Sequence, residues 1–453
     1  MDLNEHIKKL GRQIYDGIDF VGFLNDIDLF QQNSLPEILQ SGFIAPIAEA
    51  VLVKISNFLV GKYQYVNRHH YLVARPYSLI IDPSNSCPLR CPGCLHNTLF
   101  KRKIDADWPD GNLSNDVFLK FITEFGPYAS TVLFYNWGEP LLNKNTPNFI
   151  KQAKSYMLHT SLSSNLSIDF DAEELVLSGL DYMTLSVDGV TTDSYERYRR
   201  GGRLDLVFDN IKKIVNAKNK HKINTPILSW QFLVFEHNKH EIEKVKSIAS
   251  ELGVNDVKFT NPYGVIWEPD IIPAGGKQPE IYTVGYDCGD KRGCHALNIS
   301  GEFSRIFKKK WIDKLPKDEL SVTKHNGRSC KWLYTSITMD AHGRYLPCCY
   351  APRNNSGFTY VFATSNPYGG HDDPFNSSYY QFSRKHFTWL DALKNPAGTA
   401  PRLTVGPATY CVACPDRAIS PLVNDNHLKR YVKKLDSVGL LDQDSLDVIS
   451  SWD

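Results

Sequence analysis

The sequence lacks a large net charge, a long apolar run and an export signal. Its 51 Lys and Arg residues balance 50 Asp and Glu residues, so we predict no general electrostatic attraction to nucleic acid or acidic lipid. The most apolar run, residues 44–60, contains Glu49, Lys54 and Asn57, and is too short and polar for a membrane span. The N-terminal MDLNEHIKKL is polar and charged, unlike a signal peptide. We therefore expect a cytoplasmic protein with no nucleic-acid partner and no membrane span.

Cysteine is present but is distributed unevenly. Ten cysteines in a chain without an export signal argue against a disulfide framework. Eight of them fall in two groups, at positions 87, 91 and 94 and at positions 330, 348, 349, 411 and 414. Clustering of this kind indicates metal ligands. The 453 residues, 42% of them hydrophobic, are enough for two or three domains.

The first group, Cys87, Cys91 and Cys94, has the spacing C-x3-C-x2-C and follows a β-like run. A closed structural zinc site takes four protein ligands, and this loop offers three. A [4Fe–4S] cluster is normally held by four thiolates, so three thiolates would leave one iron open to a small molecule. The alternative is a zinc knuckle completed by a distant Cys or His.

From about residue 77 the pattern alternates between strand and helix, which predicts a parallel α/β sheet with right-handed crossovers. Six such units are fewer than the eight of a closed barrel, and the pattern is also compatible with a doubly wound sheet. The predicted strands are Tyr77–Asp82, Thr131–Tyr135, His159–Ser163, Met183–Val187, Leu228–Phe235 and Asp256–Phe259. The predicted helices are Asn115–Phe125, Pro147–Met157, Ala172–Ser178, Leu204–Lys218 and His240–Leu252.

Polar motifs follow successive predicted strands, where the chemistry of parallel α/β folds is found. The cysteine loop follows the first strand, and residues 136–140 (NWGEP) follow the second. Residues 163–165 (SSN) follow the third strand and residues 186–189 (SVDG) the fourth, and the next helix carries Arg199 and Arg200. We therefore expect these groups to meet at one edge of the sheet.

The cysteine loop and the 136–140 motif together resemble the radical S-adenosylmethionine (radical SAM) superfamily. The resemblance implies a partial, six-unit β/α barrel whose cluster cleaves SAM to a 5′-deoxyadenosyl radical that abstracts hydrogen from an unactivated C–H bond. Two positions depart from the family pattern. Trp137 stands where a glycine is common, and Gly93 stands where an aromatic residue near the adenine is common. The implied cluster ligands are Cys87, Cys91 and Cys94, and the implied SAM-binding residues are Trp137, Gly138, Glu139, Ser164, Asn165, Ser186, Asp188 and Arg199.

The second cysteine group resembles the auxiliary-cluster region of the SPASM/Twitch branch. We predict strands Ser336–Asp340 and Tyr345–Cys349 joined by a turn at Gly343. No cysteine follows Cys414, so the shorter Twitch form with one auxiliary [4Fe–4S] cluster fits better than the longer form, although four cysteines would also suit zinc. Adjacent strand residues point to opposite faces, so Cys348 and Cys349 are not expected to reach the same cluster, and the Gly343-x4-Cys348 spacing matches the family pattern. The implied auxiliary ligands are Cys330, Cys348, Cys411 and Cys414.

The leading interpretation is an enzyme that oxidises a small molecule, with the auxiliary cluster accepting an electron and an external flavodoxin or ferredoxin supplying one. The alternatives are a peptide-crosslinking maturase or epimerase of the same branch, and a zinc-binding scaffold without activity. No catalytic residue beyond the cluster is assigned. The predicted domains are a helical N-terminal extension (1–75), the partial barrel (76–262), an insertion (263–329), the auxiliary-cluster domain (330–420) and C-terminal helices (421–453).

Overall fold

Nine strands and eight α-helices form the part of the chain described below. The computed structural model describes residues 3–5, 7–9, 44–97, 108–262, 268–275, 282–283, 330–346, 348–349, 374–376, 380–381 and 383–384. The strands are β1 Ser78–Ile81, β2 Thr131–Phe134, β3 His159–Ser164, β4 Tyr182–Ser186, β5 Ile227–Leu233, β6 Asp256–Thr260, β7 Tyr282–Thr283, β8 Ser336–Met339 and β9 Tyr345–Leu346. The helices are α1 Ile44–Val66, α2 Asn115–Phe125, α3 Thr146–Ser155, α4 Ala172–Leu177, α5 Thr192–Tyr198, α6 Leu204–His221, α7 Ile242–Leu252 and α8 Trp332–Thr335.

All nine strands join one sheet in the order β7-β6-β5-β4-β3-β2-β1-β8-β9. Strands β1 to β6 lie in sequence order and pair in parallel, and β8 pairs in parallel with β1. The outer strands β7 and β9 are antiparallel to their neighbours and are not paired to each other. The predicted open, partial barrel of six β/α units is therefore confirmed. A doubly wound sheet would reverse its strand order between crossovers.

The helices cover one face of this sheet because their apolar side chains recur at helical spacing. Helix α2 begins at Ser114, whose side chain accepts a hydrogen bond from the Val117 backbone N–H. Its buried residues fall at positions i, i+3, i+4 and i+7, which places them on one stripe facing the sheet. Each buried phenylalanine contributes roughly 1.5–3 kcal/mol through removal of apolar surface from water. This stripe consists of Phe118, Phe121, Ile122 and Phe125.

The opposite face of the sheet is polar over β4 to β6. In β4, Met183 and Leu185 are buried in the core, whereas Tyr182, Thr184 and Ser186 alternate with them and are half-buried. The same alternation separates buried Val257 and Phe259 of β6 from half-buried Lys258. We call this polar side the interior face, defined by Tyr182, Thr184, Ser186, Gln231 and Lys258.

Helix α1 is attached to the barrel through a buried lysine. The Nζ of Lys54 donates to the backbone carbonyl of Gly126 at 2.6 Å and to that of Ala129. These carbonyls follow the C-terminus of α2, where a cation is favoured. Burial lowers the pKa of Lys54 to about 7. Among the described helices, α1 included, none is both long enough and apolar enough to cross a bilayer.

Most predicted boundaries differ from the observed ones by one to three residues, and two of these differences concern residues near the site. Strand β9 ends at Leu346 rather than at Cys349, and the following residue is Pro347, which has no N–H for the ladder. Helix α5 ends at Tyr198, so Arg199 is its C-cap and Arg200 lies beyond it. The predicted insertion and C-terminal helices lie almost wholly outside the described residues, and the division into five domains stays a prediction.

Candidate active site

A cavity of about 330 Å³ opens at the carboxyl ends of the first five strands. The cysteine loop forms one wall, and the loop after β2 together with the ends of β3, β4 and β5 forms the others. Seven of the eight predicted SAM-binding residues line it, as do all three cysteines of the first group. Its lining is Cys87, Leu89, Cys91, Gly93, Cys94, Tyr135, Asn136, Trp137, Gly138, Glu139, Ser163, Ser164, Asn165, Ser186, Tyr198, Arg199, Gln231, Leu233 and Pro262.

The cysteine loop is held in a curled conformation by its own arginine. The Nη1 of Arg90 donates to the carbonyls of Cys87 and Leu89 at 2.6 and 2.8 Å. The Arg90 backbone N–H donates to the carbonyl of Arg200, which ties the loop to the end of α5. Gly93 has a φ of 77°, a left-handed conformation that favours glycine. A glycine before the third cysteine is therefore a requirement of this loop's backbone.

Cys91 is buried and Cys87 and Cys94 are half-buried, and the three thiols lie close enough to influence one another electrostatically. Burial raises the pKa of Cys87, and it raises the pKa of Cys91 to about 12. Bare thiols at these positions are thus protonated at neutral pH, and a cationic metal centre is needed to keep them as thiolates. Among the described residues, no three His, Cys, Asp or Glu side chains are already grouped around a single-ion site.

The loop after β2 is built around a carboxylate that the sequence analysis did not identify. Asp82 is fully buried, and its Oδ1 accepts hydrogen bonds from the backbone N–H groups of Asn136, Trp137 and Gly138 at 3.0–3.1 Å. Burial raises the pKa of Asp82 to about 7, against the opposing effect of these hydrogen bonds. A polar residue directly after β1 was the available signal, because it lies beside the end of β2.

Gly138 sits where no side chain fits. A Cβ at this position would lie 1.6 Å from the carbonyl oxygen of Ser84 and 2.7 Å from its carbonyl carbon. Both atoms belong to backbone, so they cannot move aside as a flexible side chain would. The next residue continues the contact, since the Glu139 N–H donates to the Ser86 carbonyl at 2.8 Å. The loop before Cys87 and the loop after β2 therefore pack backbone to backbone.

Glu139 presents a buried carboxylate to the cavity. Its Oε1 accepts from the Ser164 hydroxyl at 2.8 Å and from the Leu141 N–H at 3.2 Å, and its Oε2 accepts from the Asn165 N–H at 2.9 Å. Burial raises the pKa of Glu139 to about 7, partly offset by these bonds and by Arg199. Three bonds leave acceptor capacity on a carboxylate, so Glu139 can still receive a donor from the cavity.

Arg199 reaches the cavity from the end of α5 and is oriented from behind by Asp188. The Asp188 carboxylate is fully buried and accepts from Nε and Nη2 of Arg199, each at 2.5 Å. The other Asp188 oxygen accepts from the Leu233 N–H at 2.6 Å. Asp188 is not among the lining residues, so the structure makes it a positioning residue for Arg199. A direct contact of Asp188 with SAM stays a prediction.

Tyr135, Asn136 and Gln231 also line the cavity but are not among the predicted site residues. Tyr135 directly follows β2. Burial raises the pKa of Tyr135, and the neighbouring Tyr182 and Cys349 add to this effect. Gln231 lies on the interior face of β5, and Asn136 has a buried Nδ2 without a hydrogen-bond partner among the described residues. Tyr135 and Asn136 lie at the end of a predicted strand, where site residues are expected. Nothing in the sequence distinguishes Gln231 from polar residues inside other strands.

The second cysteine group is only partly described. Cys330 and Cys348 are buried and Cys349 is half-buried, while Cys411 and Cys414 lie outside the described residues. The Trp137 indole Nε1–H donates to the Cys349 carbonyl at 2.8 Å. This bond joins the loop after β2 to the segment after β9 and brings Cys349 beside the cavity. The assignment of four auxiliary ligands stays a prediction.

The residues of the cavity fit the two cofactors that the sequence resemblance implies. Thiols are the ligands of iron–sulfur clusters, and three of them share this cavity. A carboxylate on Glu139 suits an ammonium group, and the guanidinium of Arg199 suits a carboxylate. The Asn136 amide adds an unused buried donor. A bound amino acid zwitterion would therefore find partners for both of its charges.

Comparisons with known proteins agree with this geometry. Residues 81–231 match the family model described as the Radical SAM superfamily. The chain is 22% identical over 214 residues to the PqqA peptide cyclase of Granulibacter bethesdensis, covering 46% of this chain and 54% of that protein. It is 26% identical over 196 residues to the GTP 3′,8-cyclase of Hydrogenovibrio crunogenus, covering 41% and 55%. The chain thus spans about half the length of these curated relatives.

Among solved structures, Streptococcus suis SuiB bound to S-adenosylmethionine aligns with a TM-score of 0.44 and 15% identity, covering 77% of this chain and 79% of that chain. The cysteines of the cavity lie in the same part of the chain as the residues that match the family model. The family match begins at Ile81, at the end of β1, and ends at Gln231, on β5. It therefore includes the cysteine loop and every residue of the 136–140 motif.

Proposed function

We propose that this protein is an enzyme that cleaves SAM reductively and removes a hydrogen atom from an unactivated C–H bond, because residues 81–231 match the Radical SAM superfamily model. An iron–sulfur cluster and SAM together supply that hydrogen abstraction. The observation that carries the proposal is the shared cavity. It contains the buried thiol of Cys91, the half-buried thiols of Cys87 and Cys94, the Glu139 carboxylate and the Arg199 guanidinium.

In this proposal the chain's own residues bind and orient the cofactors. Cys87, Cys91 and Cys94 would hold the cluster. Glu139 would receive the SAM ammonium, and the donors of Arg199 not used by Asp188 would receive its carboxylate. Ser164 and Ser186 offer hydroxyl groups at the same strand ends for the ribose.

Asn165 has a second role in the proposal. Its Nδ2 donates to the Cys87 Sγ at 3.6 Å, and its backbone N–H donates to Glu139. Hydrogen bonds to a cluster's sulfur atoms help to set its reduction potential. Asn165 would therefore couple the position of the SAM-binding carboxylate to the electronic properties of the cluster. Asn165 thus contacts both parts of the site.

The outcome that we propose is net oxidation of a small molecule. An auxiliary cluster on Cys330, Cys348, Cys411 and Cys414 would accept an electron from the substrate radical, and an external flavodoxin or ferredoxin would reduce the first cluster. Support comes from the burial of Cys330 and Cys348 and from the polar interior face. Cys348→Ala should lower bound iron to that of one cluster, while the matched Cys349→Ala should keep two clusters' worth. The reverse result would exchange the two assignments.

A second candidate is modification of a peptide by crosslinking or epimerisation. It is favoured by the similarity to a protein named PqqA peptide cyclase. The half-buried Cys349 beside Tyr135 is a second observation, since a thiol near the cavity can return a hydrogen atom to a substrate. Adding candidate metabolites and candidate peptides separately, and measuring substrate-dependent 5′-deoxyadenosine, distinguishes the two candidates.

The test of the proposed activity is replacement of Cys87, Cys91 and Cys94 together by alanine. We expect dithionite-reduced wild-type protein to form 5′-deoxyadenosine from SAM, and the triple variant to form none while retaining the iron of the auxiliary cluster. Cys349→Ala is the matched control and should remain active in SAM cleavage. Undiminished cleavage by the triple variant, or stoichiometric zinc without sulfide in anaerobically purified wild type, would refute the proposal.

A further inference from the structure

Lys258 lies on the interior face of β6, one strand beyond the cavity lining. Its neighbours Val257 and Phe259 are buried in the core, so the Lys258 side chain is on the opposite side of the sheet. Its Cα pairs in register with that of Gln231, which itself lines the cavity. In-register residues of neighbouring parallel strands share a face. Lys258 therefore extends the cavity wall toward the sheet's β6 side.

The ammonium group of Lys258 is fixed in place but is not neutralised. Its Nζ donates to the Tyr182 hydroxyl and lies 4.9 Å from the centre of the Tyr182 ring. Among the described residues, no carboxylate lies within ion-pair distance of this Nζ. The nearest acidic residue on its own strand face is Asp256, whose Oδ1 accepts from the Ser229 hydroxyl. An ammonium has three donors, so two remain available to a ligand.

Other partly buried lysines of the barrel donate to carboxylate or carbonyl oxygens. The Nζ of Lys154 lies 2.7 Å from the Asp181 carboxylate, that of Lys54 donates to two backbone carbonyls, and that of Lys218 donates to the Pro226 carbonyl at 2.7 Å. Placing a cation in a partly desolvated site without an anionic partner is unfavourable. Since its neighbours do not supply that partner, the arrangement at Lys258 is explained most simply by a partner on a ligand.

The lysine is also connected to the cavity floor. Tyr182, which holds the ammonium, lies close enough to Tyr135 to affect it electrostatically, and Tyr135 lines the cavity. On the other side, the Ser163 and Ser186 hydroxyls are 3.1 Å apart and both line the cavity. A molecule in contact with the SAM-binding residues can therefore extend along the interior face to Lys258.

We infer that Lys258 and Tyr182 form a subsite for an anionic group of the substrate, either a carboxylate or a phosphate, with Gln231 facing the polar remainder. This inference deepens the proposed function, because it treats the interior face as the substrate chamber. Binding of the anion does not require turnover, so the subsite is testable without SAM cleavage. Two oxygens of either anion match the two remaining ammonium donors.

The test measures anion-dependent thermal stability of the full-length, anaerobically reconstituted protein. Inorganic phosphate and acetate are compared with chloride at equal ionic strength, in wild type and in the Lys258→Met, Lys258→Arg and Lys151→Met variants. Lys151 is exposed on α3 and controls for loss of a lysine elsewhere. Phosphate also stabilises proteins by general exclusion, so the quantity used is the difference between each variant and wild type.

We expect phosphate or acetate, at about ten times its dissociation constant, to raise the melting temperature of wild type by about 1–3 °C. Lys258→Arg and Lys151→Met should keep this rise, and Lys258→Met should lose it. A response to phosphate alone identifies a phosphate group, and a response to acetate alone identifies a carboxylate. An equal response of Lys258→Met and wild type, or no response of wild type to either anion, would overturn the subsite.

Reductive methylation of wild type keeps the inference testable if Lys258→Met does not fold. Mass spectrometry of a digest then compares methylation of Lys258 with that of Lys151 in the same sample. The anion should protect Lys258 at least threefold and leave Lys151 unchanged. Equal protection of the two lysines contradicts the inference. Failure of the proposed function appears separately, as absence of SAM cleavage by a protein that still shows the anion response.

Discussion

The two sides of the cavity are built differently. On the β1–β3 side, Asp82, Gly138 and Glu139 are held by backbone hydrogen bonds and by contacts that leave no space for a methyl group. On the β5–β6 side, within the described part of the chain, the Gln231 side chain forms no hydrogen bond and the Lys258 ammonium donates only to the Tyr182 hydroxyl. The first side is preorganised, whereas the second has polar groups that are still available.

This difference has a physical reason. A site that holds charged groups of fixed geometry benefits from dipoles and ligands that are already in position, since none of the binding energy is then used for ordering. A site for a particular substrate needs polar groups that are satisfied only when that substrate is present. We therefore expect substitutions on the β1–β3 side to remove cofactor binding and those on the β5–β6 side to leave it unchanged.

The largest effect is expected from Gly138→Ala. The added methyl group would overlap the Ser84 backbone, so one of the two loops that form the site must move. We expect SAM binding to weaken by at least a hundredfold and SAM cleavage to be lost, as measured by equilibrium dialysis and by 5′-deoxyadenosine formation. Gly275→Ala is the matched control because its Cβ would meet nothing within 4 Å. Normal SAM binding by Gly138→Ala would show that this side is not rigid.

A smaller effect is expected from Asp188→Asn. The substitution weakens the bond that orients Arg199, and a hydrogen bond to a charged group contributes about 1.5–3 kcal/mol. We expect about a tenfold rise in the dissociation constant of SAM with iron content unchanged. Asp181→Asn is the control, since Asp181 binds Lys154 at the other end of the sheet. A lower melting temperature with unchanged SAM affinity would mean that Asp188 supports only the fold.

The next prediction concerns the pH dependence of stability in Asp82→Asn. Burial raises the pKa of Asp82 to about 7, so the folded state binds this proton more tightly than the unfolded state does. The contribution of Asp82 to stability is therefore complete below about pH 4 and is lost as the pH rises to about 7. Asparagine keeps an acceptor oxygen for the three backbone N–H groups and does not titrate.

Urea unfolding at pH 5 and pH 8 measures this effect. Between pH 5 and pH 8 the wild type should lose roughly 3 kcal/mol more stability than Asp82→Asn, at about 1.36 kcal/mol for each pH unit up to the folded pKa of about 7. Asp116→Asn, on the exposed face of α2, should keep the wild-type slope. Identical slopes for wild type and Asp82→Asn would show that Asp82 is ionised in the folded protein at both pH values.

The smallest effect is expected from Gln231→Ala on the β5–β6 side. Because the Gln231 side chain has no hydrogen bond to the described cofactor-side residues, its removal should change SAM affinity by less than twofold and leave iron content unchanged. Uncoupled 5′-deoxyadenosine formation should also remain. Ser164→Ala is the comparison, since it removes a 2.8 Å bond to Glu139. If Gln231→Ala weakens SAM binding as strongly as Ser164→Ala does, the proposed division of the cavity is incorrect.

Local pattern was sufficient to predict the strands and helices that support the site. Each of the six predicted strands overlaps an observed strand, because apolar runs of four to seven residues are bounded by turns and charged helices. The helix α2 was predicted with the observed bounds, since its buried stripe and its Ser114 cap are both local features. Strand β9 was overestimated because aromatic and cysteine residues continue past Leu346 while the proline interrupts pairing.

Side-chain direction was less predictable than strand position. The sequence predicts that both Asp188 and Arg199 contact SAM. In the structure, the Asp188 carboxylate lies behind the Arg199 guanidinium. Asp82 was missed because its three hydrogen-bond donors lie 54 to 56 residues away in the chain. Such contacts depend on which strands are neighbours, and no local pattern contains that information.

The sequence by itself determined the ligand types and their order along the strands. Three closely spaced cysteines, and a polar residue after each successive strand, are local consequences of spacing and of the two-residue period of a strand. The tertiary structure decided which of these groups face the cavity and which support them. It also placed Lys258 on the interior face without a carboxylate partner among the described residues. Burial and partner choice arise only when residues distant in sequence are packed together, which is why Asp82, Gly138 and Lys258 acquire their roles from the fold.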